Sequence, residues 1–132
     1  MLPAQEFWNA IISNDLPKLK QVAPHCLEAL NEPIVEELKL NYPIIIAAHL
    51  GYDEIVDFLI DLGVDCNVQD EEGNTCLHEA VYEDRYDIAD ALLNDGNSDP
   101  SIQNINGQTA RDISEMHQLA SEADDIGLYP EE

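Results

Sequence analysis

Apolar residues recur through the middle of the chain with the spacing of two short amphipathic helices. The first helix is predicted to begin after Thr75, whose hydroxyl can cap it. The second is predicted to follow a charged break at residues 83–85 and to end at Gly96, because Asp99-Pro100 prevents its continuation. The positions predicted to face the core are Leu77, Ala80 and Val81 in the first helix and Ile88, Ala89, Leu92 and Leu93 in the second.

This helix pair follows a turn at residues 70–73, in which Gly73 is free to adopt a positive φ. Each helix has a single apolar face, so the pair has no core of its own and needs neighbours. The chain repeats the pattern at an offset of 33 residues, which places Ala80 on Ala47 and Gly96 on Gly63. An offset of 34 places residues 73–75 on 107–109. A fixed period of this length predicts a solenoid of stacked repeats.

The unit resembles an ankyrin repeat, whose pattern runs roughly D-x-x-G-x-T-P-L-H-x-A, then G and I-V-x-x-L-L-x-x-G. The matching residues are Asp70, Gly73, Thr75, Leu77, His78, Ala80, Ile88, Leu92, Leu93 and Gly96. The resemblance is close from Tyr42 to Ser114 and implies an all-α solenoid of helix-turn-helix units with β-turn-like tips and capping terminal repeats. We expect a single domain, 1–132, with repeats at residues 3–36, 37–69, 70–103 and 104–130.

Several segments depart from this pattern. Residues 24–41 are longer than an inter-repeat turn requires, and the spacing of Ile34, Val35 and Leu38 after Pro33 predicts an extended or additional helix there. In the fourth repeat the second helix has almost no apolar positions besides Ala123 and Ile126, as expected of a closing cap, and residues 128–132 are predicted to fray. Two helix-linking turns lack the usual glycine. Residues 14–16 occupy this turn in the first repeat, and Asp84 occupies the position of the glycine in the third.

The charge balance limits the classes of partner. Asp and Glu total 28 against 5 Lys and Arg, which gives a formal net charge of −23. Such a surface repels phosphate groups, so we expect neither a nucleic-acid partner nor binding to an anionic membrane. The chain begins without a basic leader and contains no run of membrane-spanning length, so we expect a cytoplasmic protein or one delivered by a route that uses no cleaved leader. We also expect it to be monomeric on its own. The three cysteines (Cys26, Cys66 and Cys76) are expected to be small core residues.

The residues that could carry chemistry do not form a site. His78-Glu79 begins a zinc-protease motif, but Tyr82 stands where the second histidine is needed. Two stretches, 65–69 and 95–99, carry oxygen-bearing side chains at calcium-loop spacing, yet both lack the required glycine, and an inter-repeat turn explains them better. The resemblance implies that the histidine His78 ties turns together by hydrogen bonds. The sequence therefore predicts no enzyme activity, no metal and no cofactor.

The resemblance also implies where a partner binds. In ankyrin stacks the turn tips and the exposed side of each first helix line one concave surface, which the family generally uses for binding. By position, this surface comprises Trp8, Ile12 and Ser13; Lys39, Asn41, His49 and Leu50; Glu71, Glu72, Asn74, Tyr82 and Glu83; and Ile105, Asn106, Gln108, Met116 and His117. Acids surround aromatic and apolar anchors in this set, which suits a binding hot spot. The alternative for Trp8 and Met116 is that they cover the cores of the caps.

The expected function is therefore non-catalytic binding of another protein with a basic surface, as an adaptor or effector. An alternative is an acidic immunity protein or antitoxin that occludes the active cleft of a toxin or nuclease, and a toxin gene beside this one would favour it. An enzyme with an irregular active site is a distant third, because no motif supports it. A fragment of a longer protein is also considered, although the capping character of the end disfavours it.

Overall fold

The computed structural model describes residues 3–27, 34–36 and 39–125 of the chain. Three helix-turn-helix pairs follow one another: α1 (Pro3–Ile12) with α2 (Leu16–Val22), α3 (Pro43–Leu50) with α4 (Asp53–Asp61), and α5 (Cys76–Tyr82) with α6 (Tyr86–Asn94). The last helix, α7 (Ala110–Asp125), follows a further turn. The predicted all-α solenoid is confirmed. None of the helices in the described part of the chain has the length and hydropathy needed to cross a bilayer.

The helices form two layers, and the apolar core lies between the layers and between neighbouring helices of each layer. The first helices contact in the order α1, α3, α5, α7, and α4 contacts α6 in the second layer. The largest fully buried apolar side chains come from both layers and from every repeat: Phe7, Ile11, Leu19, Ile44, Ile45, Ile55, Val56, Leu59, Leu92 and Ile113. The three cysteines are also buried, as predicted. Each repeat therefore buries its apolar surface against its neighbours.

Each helix pair is joined through one residue with a left-handed backbone. Asn14, Gly51 and Asp84 occupy equivalent positions with φ of 55°, 77° and 57°. The next backbone N–H then returns to the first helix; that of Arg85, for example, donates to the Ala80 carbonyl at 2.7 Å. Asn and Asp adopt this conformation more readily than other non-glycine residues. The predicted turns at residues 14–16 and at Asp84 are confirmed, and the short polar residues explain why glycine is dispensable there.

The turn before α5 and the turn before α7 have the same hydrogen bonds. One Asp70 carboxylate oxygen accepts the backbone N–H groups of Glu72 and Asn74, both at 2.9 Å. Asn104 repeats this with its side-chain carbonyl, which accepts two backbone N–H groups at 3.0 Å. The two turns are joined directly, because the Ile105 N–H donates to the Glu72 carbonyl at 2.9 Å. A Cβ on Gly73, which has φ of 77°, would lie 2.9 Å from that Ile105 nitrogen, so glycine is required there.

His78 has the structural role that the resemblance implied. Its Nδ1 accepts the Thr75 backbone N–H at 3.0 Å, which leaves Nε2 to donate to the Gln108 carbonyl of the next turn at 2.9 Å. In the fourth repeat Asp112 stands at the equivalent position and accepts the Thr109 N–H at 3.0 Å. A carboxylate caps α7 in this way but cannot donate a hydrogen bond to a further repeat.

The two calcium-like stretches are inter-repeat turns, as interpreted from the sequence. The Asn67 N–H donates to the Asp65 carboxylate at 2.9 Å, and the Asn67 side-chain carbonyl accepts the Asp99 N–H at 2.7 Å. Asp99 in turn accepts the Ser101 N–H at 2.9 Å. Asp65, Asn67 and Asp99 thus bond to backbone groups, and the Asn67 bond connects one loop to the next.

Two predicted elements are wrong. Instead of the helix predicted from Ile34 and Val35, the described residues after α2 form a 3₁₀ turn (Ala23–His25) and a hairpin of β1 (Ile34–Glu36) with β2 (Lys39–Asn41), in which Ile34 lies opposite Asn41. The helical spacing of Ile34 and Val35 did not indicate that these residues pair with Asn41 and Leu40 across the hairpin. Leu38 lies outside the described residues. In the fourth repeat α7 runs through Ala123 as one helix of 16 residues, so no second helix begins before residue 125. Ile126 and residues 128–132 lie outside the described residues.

The structure also contradicts the prediction that Leu93 faces the core. Leu93 is 41% exposed, whereas Leu92 is fully buried. In the second layer, no helix among the described residues follows α6, so the side of α6 that would face the next repeat has no helix to cover Leu93. The helical pattern predicted that both leucines face the core, but only Leu92 is buried.

We expect Leu92→Ala to lower the free energy of unfolding by about 2–5 kcal/mol, because it removes a fully buried side chain and leaves a cavity. Leu93→Ala, made at the neighbouring exposed position, should change it by only about 0.5 kcal/mol. Urea denaturation of both variants checks this. Similar losses at the two positions would show that α6 is covered on both sides.

Candidate protein-binding surface

One surface, here called the first-helix face, is formed by the turn tips and by exposed residues of α1, α3, α5 and α7. Among the described side chains, each of these helices presents one large apolar side chain to solvent. The four side chains and their exposed fractions are Ile12 (45%), Leu50 (38%), Tyr82 (39%) and Met116 (55%). Tyr82 and Met116 occupy equivalent positions, and the position equivalent to them in α3 is that of His49, beside Leu50. The first helices contact in sequence, so each repeat contributes an exposed apolar side chain to this face, with Leu50 one residue beyond the position equivalent to Tyr82 and Met116.

Carboxylates of α5 lie over the junction between α3 and α5. His49 Nδ1 is 2.9 Å from a Glu79 carboxylate oxygen and 3.7 Å from one of Glu83. The backbone of the same histidine accepts a hydrogen bond from Arg85 Nε at 3.3 Å. The guanidinium of Arg85 also lies against Gly51, where a Cβ would approach it to 2.5 Å. These contacts fix α3 and α5 relative to each other at the exposed surface.

A second set of contacts spans the junction between α5 and α7. His117 Nδ1 is 3.1 Å from an Asp84 carboxylate oxygen, and the centre of its ring is 6.3 Å from that of Tyr82. The Tyr82 hydroxyl donates to the side-chain carbonyl of Gln108 at 3.5 Å, and the Gln108 amide donates to the Met116 sulfur at 3.4 Å. Tyr82 and Met116 are therefore held in place by side chains while one side of each faces solvent.

The turn tips extend this surface with acids and one apolar side chain. Glu71, Glu72 and Asn106 are exposed. Ile105 is 71% exposed, and its backbone is bonded to that of Glu72. A large aliphatic side chain on a well-ordered turn beside carboxylates is a rim position that a partner can cover.

Several residues that were predicted to lie on the binding surface lie elsewhere in the structure. Trp8 is 7% exposed and packs edge-to-face against Phe7, so it belongs to the core of the first repeat, as the alternative interpretation allowed. Asn74 is 4% exposed because its side-chain carbonyl accepts a hydrogen bond from Asn104 at 3.0 Å. The prediction that these two are surface residues is wrong. The backbones of Lys39 and Asn41 lie in β2, and their side chains are outside the described part of the structure.

Sequence reasoning also missed residues that organise the surface. Glu79, Asp84 and Arg85 were not among the predicted binding residues, yet they connect α5 to both of its neighbours. Glu79 lies one helical turn before Glu83, so the spacing of the two acids placed them on one side of α5. The pairing with His49 required the relative position of two repeats, which the sequence alone does not give.

Burial raises the pKa of the Glu79 carboxyl above its ordinary value of 4.5, and the hydrogen bond and charge of His49 offset only part of this effect. The nearby carboxylates of Asp70 and Glu83 raise the pKa further. A folded-state pKa above the ordinary value means that the protonated carboxyl favours folding. This contribution is complete below the ordinary pKa and is lost as the pH rises through the raised pKa.

We expect Glu79→Gln to gain stability relative to the unmodified protein as the pH is raised from about 4 to 7, because the neutral amide cannot acquire the unfavourable charge. Urea denaturation across this pH range measures the effect. Glu83→Gln is the comparison: it removes one of the charges that raise the Glu79 pKa but leaves burial, the largest cause, in place, so its gain in stability over the same pH range should be smaller. A difference for Glu79→Gln that is constant with pH would contradict this account.

Comparisons with known proteins agree with this architecture. A family model described as ankyrin repeats (3 copies) matches residues 8–110. An ankyrin repeat protein of Acanthamoeba polyphaga mimivirus is 37% identical over 67 residues, which are 51% of this chain and 16% of the viral protein. Protein phosphatase 1 regulatory subunit 12A of Mus musculus is 37% identical over 70 residues, 53% of this chain and 7% of the mouse protein. This chain thus spans only a small part of these relatives.

A solved structure shows the same fold over almost the whole chain. It is a chain from the crystal structure of the yeast ribosomal protein Rps3 in complex with its chaperone Yar1. The similarity covers 98% of this chain and 96% of that chain, with a TM-score of 0.70 and 22% sequence identity. The family model, the turn hydrogen bonds and the helix pairs lead to one conclusion: the chain belongs to the ankyrin repeat family.

Proposed function

We propose that this protein binds another protein with a basic surface through the first-helix face, without catalysis, as an adaptor or effector. The observation that carries the proposal is the set of four exposed apolar side chains among carboxylates. Central apolar anchors with a polar rim are typical of protein interfaces. In the family this face is the concave one. We further propose that the protein acts in the cytoplasm and is monomeric before it binds.

The similar proteins support binding of a protein partner. The structural neighbour comes from a complex between a ribosomal protein and its chaperone, and the mouse relative is named as a regulatory subunit of a phosphatase. Both names describe association with another protein. The fold alone does not identify a partner for this chain, and that step rests on its own surface.

The net charge supports the choice of a basic partner. A formal charge of −23 on 132 residues creates a strong negative potential that attracts basic proteins from a distance and repels acidic ones. A related alternative is an immunity protein or antitoxin that occludes a basic toxin or nuclease, since the same charge would serve it. Inhibition of an enzyme by the purified protein would favour that alternative, whereas an adaptor leaves its partner active.

We expect Glu71→Lys/Glu72→Lys to slow association with the partner and to weaken its dependence on salt, because exposed charges at the rim act mainly on the association rate. The partner is captured from cells of the source organism with the unmodified protein and is then measured kinetically at two ionic strengths. Neither exposed acid belongs to the core, so the variant should remain folded.

The matched control is Asp57→Lys/Asp61→Lys, which makes the same charge change on α4 in the second layer. Partial burial and the carboxylates of Asp53, Asp61, Asp95 and Glu54 raise the pKa of Asp57, so this reversal also relieves repulsion and should not unfold the protein. If the control slows association as much as the Glu71 and Glu72 variant, only net charge matters and the proposed surface is wrong.

We expect Tyr82→Ala to speed dissociation and to weaken binding by about 2 kcal/mol or more, as for a buried aromatic anchor at an interface. Leu93→Ala is the control, because Leu93 is 41% exposed but lies on α6 in the second layer. Binding kinetics with the captured partner compare the two. If the two variants have equal effects, or if Tyr82→Ala has none, Tyr82 does not anchor the partner.

A further inference from the structure

We propose that Cys66 and Cys76 form a redox-active pair, which a hydroperoxide oxidises to a disulfide and a dithiol reduces again. The pair takes no part in the proposed function, so the two proposals stand or fall separately. Three features support the pair: the contact between the two thiols, a buried hydroxyl beside them, and a glycine that lies against one of the sulfurs.

The two thiols meet at the junction between the second and third repeats. Cys66 lies in the loop after α4, and Cys76 is the first residue of α5, 10 residues later. The Cys76 sulfhydryl is 3.2 Å from the Cys66 carbonyl oxygen, and the two side chains also hydrogen-bond to each other. A disulfide requires two sulfurs that can approach to about 2.05 Å, so its backbone must already hold them side by side. The fold meets this requirement.

A buried hydroxyl completes the cluster. Ser98 is 7% exposed, and its Oγ has no nitrogen or oxygen partner among the described residues. It lies near enough to both sulfurs to lower the pKa of each thiol. A buried hydroxyl without an acceptor costs folding free energy, and a neutral thiol is only a weak acceptor. A thiolate on Cys66 is the acceptor that this hydroxyl otherwise lacks.

The two thiols differ in acidity. Hydrogen bonds from Cys76 and from Ser98 lower the pKa of the Cys66 thiol, although burial and the carboxylate of Asp65 act in the opposite direction. The hydrogen bond to Cys66, together with burial, raises the pKa of the Cys76 thiol well above its ordinary value. Because the thiolate is the nucleophile, Cys66 is the attacking cysteine and Cys76 the resolving one.

The Cys66 sulfur lies just below the surface. The residues next to Cys66 and next to Ser98 in the sequence are exposed. Gly96 lies directly against the sulfur, since a Cβ on that glycine would be 2.9 Å from Cys66 Sγ. The sulfur is therefore covered by a residue without a side chain, in a loop between repeats. Exposed loops open locally at little cost in free energy, so a small oxidant can reach Cys66 without unfolding the helices.

The oxidation takes place in two balanced steps. The Cys66 thiolate attacks one oxygen of the peroxide, the O–O bond breaks, and Cys66 becomes a sulfenic acid as hydroxide leaves and takes up the proton that Cys66 released. The Cys76 sulfur then attacks the sulfenic sulfur, so that the S–S bond forms, the S–O bond breaks, and the hydroxyl departs with the Cys76 proton as water. The two thiols lose two electrons and two protons, and hydrogen peroxide becomes two molecules of water. A dithiol reverses this by thiol–disulfide exchange and is itself oxidised.

The disulfide would join the end of one repeat to the start of the next. It closes the segment 66–76, which carries the turn before α5, and thereby restricts the conformations of that segment. In a reducing compartment a disulfide of this kind is transient and reports the presence of an oxidant. The pair would thus make the junction between the second and third repeats sensitive to peroxide.

The test uses the full chain, reduced, freed of reductant and treated with hydrogen peroxide while folded. Remaining thiols are blocked with N-ethylmaleimide in denaturant and counted by mass spectrometry. Cleavage at acidic residues separates the two cysteines, because Asp70, Glu71 and Glu72 lie between them. A disulfide between Cys66 and Cys76 is then detected as two peptides that come apart only on reduction.

We expect the folded chain to lose two of its three thiols, with Cys66 linked to Cys76, and to regain both with dithiothreitol. Cys26 is the internal control, because it is also buried and its sulfhydryl donates to the Val22 carbonyl at 3.1 Å. Three intact thiols, disulfides only between molecules, or oxidation of Cys26 as fast as the pair would each overturn the proposal.

Two single variants test the roles of the two cysteines. Cys76→Ser lacks the resolving thiol, so peroxide should leave Cys66 as a sulfenic acid, which dimedone traps. Cys66→Ser should leave Cys76 unreacted under the same conditions, because its thiol stays protonated. Dimedone on Cys76 and not on Cys66 would overturn the assignment of attacking and resolving cysteine.

A third variant tests the buried hydroxyl. Ser98→Ala removes a hydrogen-bond donor from the Cys66 thiolate, so the rise of the oxidation rate with pH should move to higher pH. Ser101→Ala is the matched control, because Ser101 is exposed and its hydroxyl bonds to Asp99 at 2.6 Å. If both variants keep the pH profile of the unmodified protein, Ser98 does not stabilise the thiolate and the role assigned to it is wrong.

Discussion

Burial between neighbouring repeats is the interaction on which the rest of this structure depends. Each helix pair is too short to enclose a core, so side chains such as Leu59 and Leu92 are buried only because another repeat covers them. Hydrogen bonds between the turns fix how neighbouring repeats are positioned, because His78 and Asn104 each connect one turn to the next. The stacking of the repeats therefore sets the positions of the side chains exposed on the surface, including the apolar side chains of the first helices.

The fourth repeat shows how the structure changes where no second helix lies among the described residues. α7 contacts α5, but no second helix follows within the described residues, and Leu93 on α6 is left partly exposed. At the position of His78 the last repeat has Asp112, which caps its own helix and has no hydrogen to donate onward. Within the described residues, the fourth repeat therefore neither covers α6 with a second helix nor offers a side-chain donor at this position.

Local features were predictable from the sequence, and features that depend on a neighbour were not. Thr75 as a cap, Gly73 in its turn and Asp84 at a left-handed position follow from residue type and spacing, and the structure confirms them. The hairpin at Ile34–Glu36 was missed because strand pairing joins residues that helical spacing does not compare. The burial of Trp8 and Asn74 was missed for the same reason, since each depends on the position of another side chain.

Acids alone do not distinguish the two sides of the molecule. The second layer carries Asp53, Asp57 and Asp61 on one helix, and their mutual repulsion helps to raise the pKa of Asp57. The second layer differs in its apolar side chains: Tyr86 and Leu93 are exposed on α6 alone, whereas each first helix contributes an anchor. A basic partner would be attracted to both sides by the negative potential. Under the proposed function, the exposed apolar side chains on every first helix, and not charge, distinguish the side to which such a partner binds.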